Sequence, residues 1–94
     1  MEIKDNTFSR QFEINATEGV ITVEYSLQER KIFLTRINTP ESFDNELLID
    51  EILSEILALA EDKKWKVVPV FPRVASFFRK NPKFKTLLPP GIRI

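Results

Sequence analysis

The sequence has no cysteine and no histidine. Without cysteine there is no disulfide, no thiolate metal site and no cysteine nucleophile. Without histidine the commonest zinc ligand and the commonest general base are both gone. Oxygen-only sites for Mg²⁺ or Ca²⁺ stay open, but no EF-hand pattern is present, and no residue is assigned as a metal ligand. There is no excess of either charge: 14 Lys and Arg balance 14 Asp and Glu. Phosphate binding depends on basic surface, so a neutral chain is not expected to take nucleic acid as its main partner. A local basic patch near Arg73, Arg79, Lys80, Lys83 and Lys85 stays open. No apolar run approaches the roughly 20 residues that a membrane span needs. The start, Met-Glu-Ile-Lys-Asp-Asn, lacks a signal-peptide core. The expectation is a cytoplasmic protein without a membrane partner.

What is present is ordinary for a globular chain: 94 residues, 43% hydrophobic and 30% charged. That length supports one domain, residues 1–94, with one core. The clearest element is a helix running to about Lys64. Leu48, Ile49, Ile52, Leu53, Ile56, Leu57, Leu59 and Ala60 form one apolar stripe at helical spacing. Asp44 is expected to cap it through the N–H of Glu46 or Leu47, and Glu46 suits the positive end of the dipole. Before it come three strands. Thr7 to Ile14 would place Phe8, Phe12 and Ile14 on one face, with Arg10 breaking the alternation. Val20 to Leu27 sets Ile21, Val23, Tyr25 and Leu27 against Thr22, Glu24 and Ser26. In Lys31 to Ile37, Ile32 and Leu34 oppose Phe33, Thr35 and Ile37, which predicts a strand covered on both faces. After the helix, Trp65 to Phe71 reads as a fourth strand, and a helix between strands three and four makes that pair parallel. Pro72 suits the start of a second helix with Val74, Phe77 and Phe78 inward. The tail from Lys83 is expected to lie on the core or fray. The order is βββαβα: an α/β (α+β) fold with a mixed four-stranded sheet.

Several segments match a known pattern in order. Tyr25 precedes a hairpin. A strand ends Leu34-Thr35-Arg36-Ile37-Asn38-Thr39-Pro40. Then come Lys66-Val67-Val68-Pro69-Val70-Phe71-Pro72 and Arg79-Lys80-Asn81-Pro82-Lys83-Phe84. With Pro40 and Pro72 at matching spacing, residues from about Phe12 to Leu87 resemble the very small GNAT-type N-acetyltransferase-like proteins (the YjdJ-like group).

The resemblance implies acetyl-CoA as cofactor and acetyl transfer from this small-molecule acyl-CoA to an amine. It implies that backbone near Ile37, Asn38, Thr39, Val70 and Phe71 holds pantetheine between two splayed parallel strands. It also implies that the helix N-terminus at Asn45, Glu46, Leu47 and Leu48 meets the diphosphate. The family's glycine-rich turn aligns with Asp44, Leu47 and Ile49, its histidine with Arg36 and its cysteine with Phe71. Glycine serves there because side chains obstruct the approach of phosphate to backbone, so weakened CoA binding is expected. The alternative is a degenerate, non-catalytic binding module. Glu24, as a general base through water, and Tyr25, as a general acid toward the leaving thiolate, are the catalytic candidates. Each has a plainer role as well: Glu24 as a solvent-facing carboxylate, Tyr25 as a half-buried strand residue, Asp44 as a cap, Phe71 as core and Arg36 as a solvated charge.

Overall fold

Alternation along the strands sorts their side chains onto two very different faces. The computed structural model describes residues 1–94, with strands β1 (Lys4–Asn6), β2 (Gln11–Ala16), β3 (Gly19–Gln28), β4 (Lys31–Asn38) and β5 (Lys66–Pro69) in the spatial order β1-β2-β3-β4-β5. Helix α1 (Glu46–Asp62) joins β4 to β5, and α2 (Pro72–Lys80) and a 3₁₀ segment (Pro82–Leu87) follow. The first four strands pair antiparallel, and β4 and β5 pair parallel. This is the mixed α+β fold that the sequence implies.

Phe12, Ile14, Ile21, Val23, Tyr25, Ile32, Leu34 and Val67 share the inner face and are buried. They meet Ile49, Ile52, Leu53, Ile56, Leu57 and Ala60 of α1, Val74, Phe77 and Phe78 of α2, and Leu87 in one cluster. The outer face carries Gln11, Glu13, Thr22, Glu24, Ser26, Phe33 and Val68, none of them fully buried. The molecule is only 19 Å across its thinnest axis, the depth of one sheet and one helical layer.

The first strand differs from expectation. Thr7 to Ile14 is not one strand: residues 7–10 form a turn, the strand begins only at Gln11, and a further strand before the turn, Lys4–Asn6, makes five instead of the expected four. Asn6 Oδ1 accepts from the Ser9 N–H at 3.0 Å, and Arg10 adopts φ 56°, in the left-handed region. That turn accounts for the break in alternation at Arg10. It also places Phe8 at a turn tip, 97% exposed, rather than beside Phe12.

The third strand also departs from expectation. Across β3 and β4, Tyr25 pairs with Leu34 but Glu24 pairs with Arg36, so Thr35 of β4 is an extra residue in a bulge. Its Oγ1 donates to the Glu24 carbonyl at 3.2 Å. The bulge reverses the alternation, and Ile37 packs inward with Ile32 and Leu34 rather than opposite them. No helix covers the outer face, and Phe33 is only half-buried there.

The cap of α1 is Asn45, one residue beyond Asp44. Asn45 Oδ1 accepts from the Leu48 N–H at 3.1 Å. The helix ends at Asp62 rather than Lys64, because Lys64 turns to φ 62°. Asn45→Ala should cost about 1 kcal/mol and lower the melting temperature by roughly 4–8 °C. Asp44→Ala should change stability by no more than about 0.5 kcal/mol. Thermal melts of both variants check the assignment. The fourth strand is shorter than expected, ending at Pro69, and Phe71 is the N-cap of α2. The tail lies against the core through Leu87 and Leu88. No helix is long and apolar enough to cross a membrane.

Candidate functional site

Strands β4 and β5 stay in register from Lys31↔Lys66 to Leu34↔Pro69 and then part. The last link is the Phe71 N–H donating to Leu34 O at 3.1 Å. Pro69 lacks an N–H to continue the ladder, and Pro72 fixes a helical φ that turns the chain away. Strand β4 nevertheless continues to Asn38. Thr35 to Asn38 therefore have β3 on one side and no strand on the other. This opening lies at the end of β4 from which the chain passes through residues 39–45 into α1. The β2–β3 turn closes against the same loop. Gly19 has φ +144°, and a Cβ there would sit 3.0 Å from Pro40 Cγ, so the close approach requires glycine.

The structure brings together most of the residues the sequence suggests for a cofactor. Ile37, Asn38 and Thr39 end β4, with Ile37 packed inward and the other two exposed. Across the opening, Val70 is 54% exposed and Phe71 half-buried. Asn45, Glu46, Leu47 and Leu48 form the cap and first turn of α1. Asn45 takes the Leu48 N–H, which leaves those of Glu46 and Leu47 without intrahelical partners. Leu47 and Ile49, which align with the family's glycine-rich turn, have different surroundings. Ile49 is 3% exposed and belongs to the core, whereas Leu47 is 74% exposed. The chain's only glycines are Gly19 and Gly91, so neither softens the first turn.

Arg73, in the first turn of α2, is the residue that sequence reasoning missed, having placed it in a general basic patch. Its Nε donates to Glu46 Oε1 and its Nη2 to Asp50 Oδ1, both at 2.8 Å. Nη2 also reaches Glu46 O at 3.4 Å. Its Nη1 is buried without a partner. Burial works against the guanidinium charge, but the hydrogen bonds to Asp50 and Glu46 outweigh it and raise the pKa. Glu46 and Asp50, four apart on one helix, share a face. That spacing, with an arginine just after Pro72, is the signal available in the sequence.

Glu24 and Tyr25 are neighbours in β3 and so point to opposite faces; the fold does not bring them together. On the outer face Asn38 Nδ2 donates to Glu24 Oε2 at 2.6 Å and to Thr22 Oγ1 at 3.0 Å. On the inner face the Tyr25 hydroxyl donates to Asp5 Oδ1 at 2.6 Å, and its ring lies 4.8 Å from that of Phe12. Burial, then the Asp5 hydrogen bond and charge, push the Tyr25 pKa up to about 12. A phenol whose pKa is raised on folding stabilises the protein fully below its unfolded value of about 10, and that contribution is lost as pH rises toward 12. The urea midpoint should therefore fall more steeply between those values in the parent than in Tyr25→Phe. Parallel curves would remove the Tyr25–Asp5 bond from the account. No group of three or more acidic side chains converges as a metal site.

Comparison with known proteins agrees with this architecture. No curated protein matches the chain. The model of the GCN5-related N-acetyl-transferase family matches residues 11–87. The matched span runs from β2 to the 3₁₀ segment, so it contains the β4–β5 opening, the N-terminus of α1 and both helices. With four-fifths of its length inside that match, the chain belongs to the GCN5-related N-acetyltransferase family.

Proposed function

We propose that this chain is an acyl-CoA-dependent N-acyltransferase-type domain, folded as one unit over residues 1–94, with impaired cofactor binding. The observation that carries the reading is the β4–β5 register, which stops at Leu34↔Pro69 and leaves unpaired β4 backbone leading to the α1 N-terminus. Ile37, Asn38, Thr39, Val70 and Phe71 would flank the pantetheine of acetyl-CoA. Asn45, Glu46, Leu47 and Leu48 would face its diphosphate. Within the family, the Lys66–Pro72 and Arg79–Phe84 segments support the very small YjdJ-like group. The partners would be an acyl-CoA and a small-molecule amine, in the cytoplasm.

The fit is uneven. The strand opening suits an extended arm that hydrogen-bonds to backbone. The helix N-terminus suits it less, because Glu46 and Asp50 occupy the nearest cation and no glycine lets phosphate approach. An acyl-CoA would supply the activated thioester, and the chain's own groups would position the amine and hold its proton. Glu24 is the better base, since Asn38 orients its carboxylate on the open face. The Tyr25 hydroxyl is already committed as a hydrogen-bond donor to Asp5 and holds its proton more tightly for it.

A second reading is a non-catalytic relative that has kept the fold as a binding module. The Arg73–Glu46–Asp50 ion pairs favour it, because two carboxylates compete with a diphosphate for the Arg73 guanidinium. Calorimetric titration with acetyl-CoA separates the two. Saturable binding near or somewhat weaker than micromolar, about −8 kcal/mol, is expected of the transferase. No heat at about 1 mM, a binding energy under about 4 kcal/mol, would overturn it in favour of the module.

A further inference from the structure

We propose that the groove between the C-terminal end of α1, the start of β5 and the 3₁₀ segment binds a nucleotide, with phosphate on Lys64 and Lys66 and the planar base against Trp65. This site lies at the opposite end of α1 from the acyl-CoA region and does not depend on the acyltransferase reading.

Zero net charge conceals a segregation. Arg30 and Lys31 in the β3–β4 connection meet Lys63, Lys64 and Lys66 at the α1–β5 junction. Arg30 Nη2 donates to Lys63 O at 3.4 Å, and the Lys66 N–H donates to Arg30 O at 2.9 Å. Lys31 and Lys66 are direct partners in the parallel ladder. Like charges placed opposite each other destabilise a sheet, and none of these five is in a salt bridge: both of the molecule's ion pairs belong to Arg73. Lys63 Nζ lies over the Trp65 ring at 5.6 Å and cations suit a helix C-terminus, but Lys31 and Lys64 have no such partner, and the cluster suits a bound anion.

The groove beside it has a volume of about 300 Å³ and is lined by Glu61, Lys64, Trp65, Lys66, Thr86 and Leu87. That is more than a bare phosphate fills and lies at the lower end of small-molecule sites. Its chemistry is divided. Lys64 and Lys66 offer ammonium groups, and Lys66 Nζ is steadied by Thr86 O at 3.0 Å. Trp65, whose ring also carries Lys63 Nζ at 5.6 Å, and Leu87 offer an apolar wall of the kind on which bases stack. Glu61 can accept from an exocyclic amine. An anion carrying a flat ring with an amino group answers all three, and a nucleotide is that class.

Trp65 is the chain's single tryptophan, so its fluorescence reports the groove directly. The probes are adenosine monophosphate and a single-stranded oligonucleotide of about ten nucleotides. Saturable quenching by the mononucleotide is expected below about 1 mM. Lys64→Gly should weaken it tenfold or more while folding as well as the parent, because φ 62° suits glycine. Lys66→Gln should weaken it similarly. If the oligonucleotide binds at least tenfold tighter than the mononucleotide, and loses affinity between about 50 and about 200 mM salt, the source is a strand; equal affinity assigns the free nucleotide. No quenching by either probe overturns the proposal. So does binding unchanged in both variants, or equal binding of a polyglutamate peptide, which would make the surface an acidic-protein contact.

Discussion

Arg73→Ala is expected to weaken acetyl-CoA binding by at least tenfold, and Glu46→Gln combined with Asp50→Asn to strengthen it. Arg73 is the cation held at the first turn of α1, bonded to both carboxylates at 2.8 Å. A charge-assisted hydrogen bond to phosphate contributes about 1.5–3 kcal/mol, which converts to roughly a tenfold to hundredfold change in affinity. At present the guanidinium is shared between two competitors. Glu46 is largely exposed and Asp50 partly so, which limits their attraction to a few tenths to about 1 kcal/mol each. Neutralising both should free Arg73, remove two charges that repel the diphosphate and raise affinity about tenfold. The change also removes a favourable charge from the helix N-terminus, costing a few tenths of a kcal/mol in stability. Calorimetry on the parent and both variants decides it. Arg73→Ala binding as well as the parent would remove Arg73 from the site. A neutralised variant that binds no better would show that the carboxylates are not what weakens it.

Phe78→Ala should have the largest effect on stability, costing about 3–5 kcal/mol. Phe78 is fully enclosed, at 0% exposure, in the face that α2 turns to the core. Removing the ring loses its transfer free energy and leaves a cavity that α1, the sheet and the 3₁₀ segment cannot close together. Domains of this size have about 5–15 kcal/mol in hand, so the melting temperature should drop by about 15 °C or more. Urea denaturation at neutral pH measures it. A loss under about 1 kcal/mol would mean that α2 is not seated as described. The outer-face Phe33→Ala serves as a comparison and should cost clearly less, because Phe33 is only half-buried.

Much of this architecture is legible in the sequence, for physical reasons that differ by element. The helix is visible because a stripe from Ile49 to Ala60 at helical spacing has no competing interpretation. The parallel pair follows from a helix inserted between two strands. The turn in place of the start of the first expected strand is not legible, because Phe8 looks like core and only the Asn6–Ser9 hydrogen bond reveals it. The cap slips by one residue because Asp44 and Asn45 are both good caps, and only geometry chooses. Within the candidate site, the positions bordering the opening come from the family resemblance. The Arg73 clamp does not, since it depends on how α2 sits against α1. The basic groove is hidden for a related reason: Arg30 and Lys63 are far apart in the chain and meet only through the sheet.

The spare residue at Thr35 works as a change of phase within one strand. Up to Leu34, even-numbered side chains look toward the helices; after the insertion, odd-numbered ones do. Had the strand kept step, Arg36 and Asn38 would be driven into the oily layer and Ile37 cast into water. The half-step lets a single strand begin as a pillar of the interior and finish by presenting an amide and a guanidinium on the same side as Glu24.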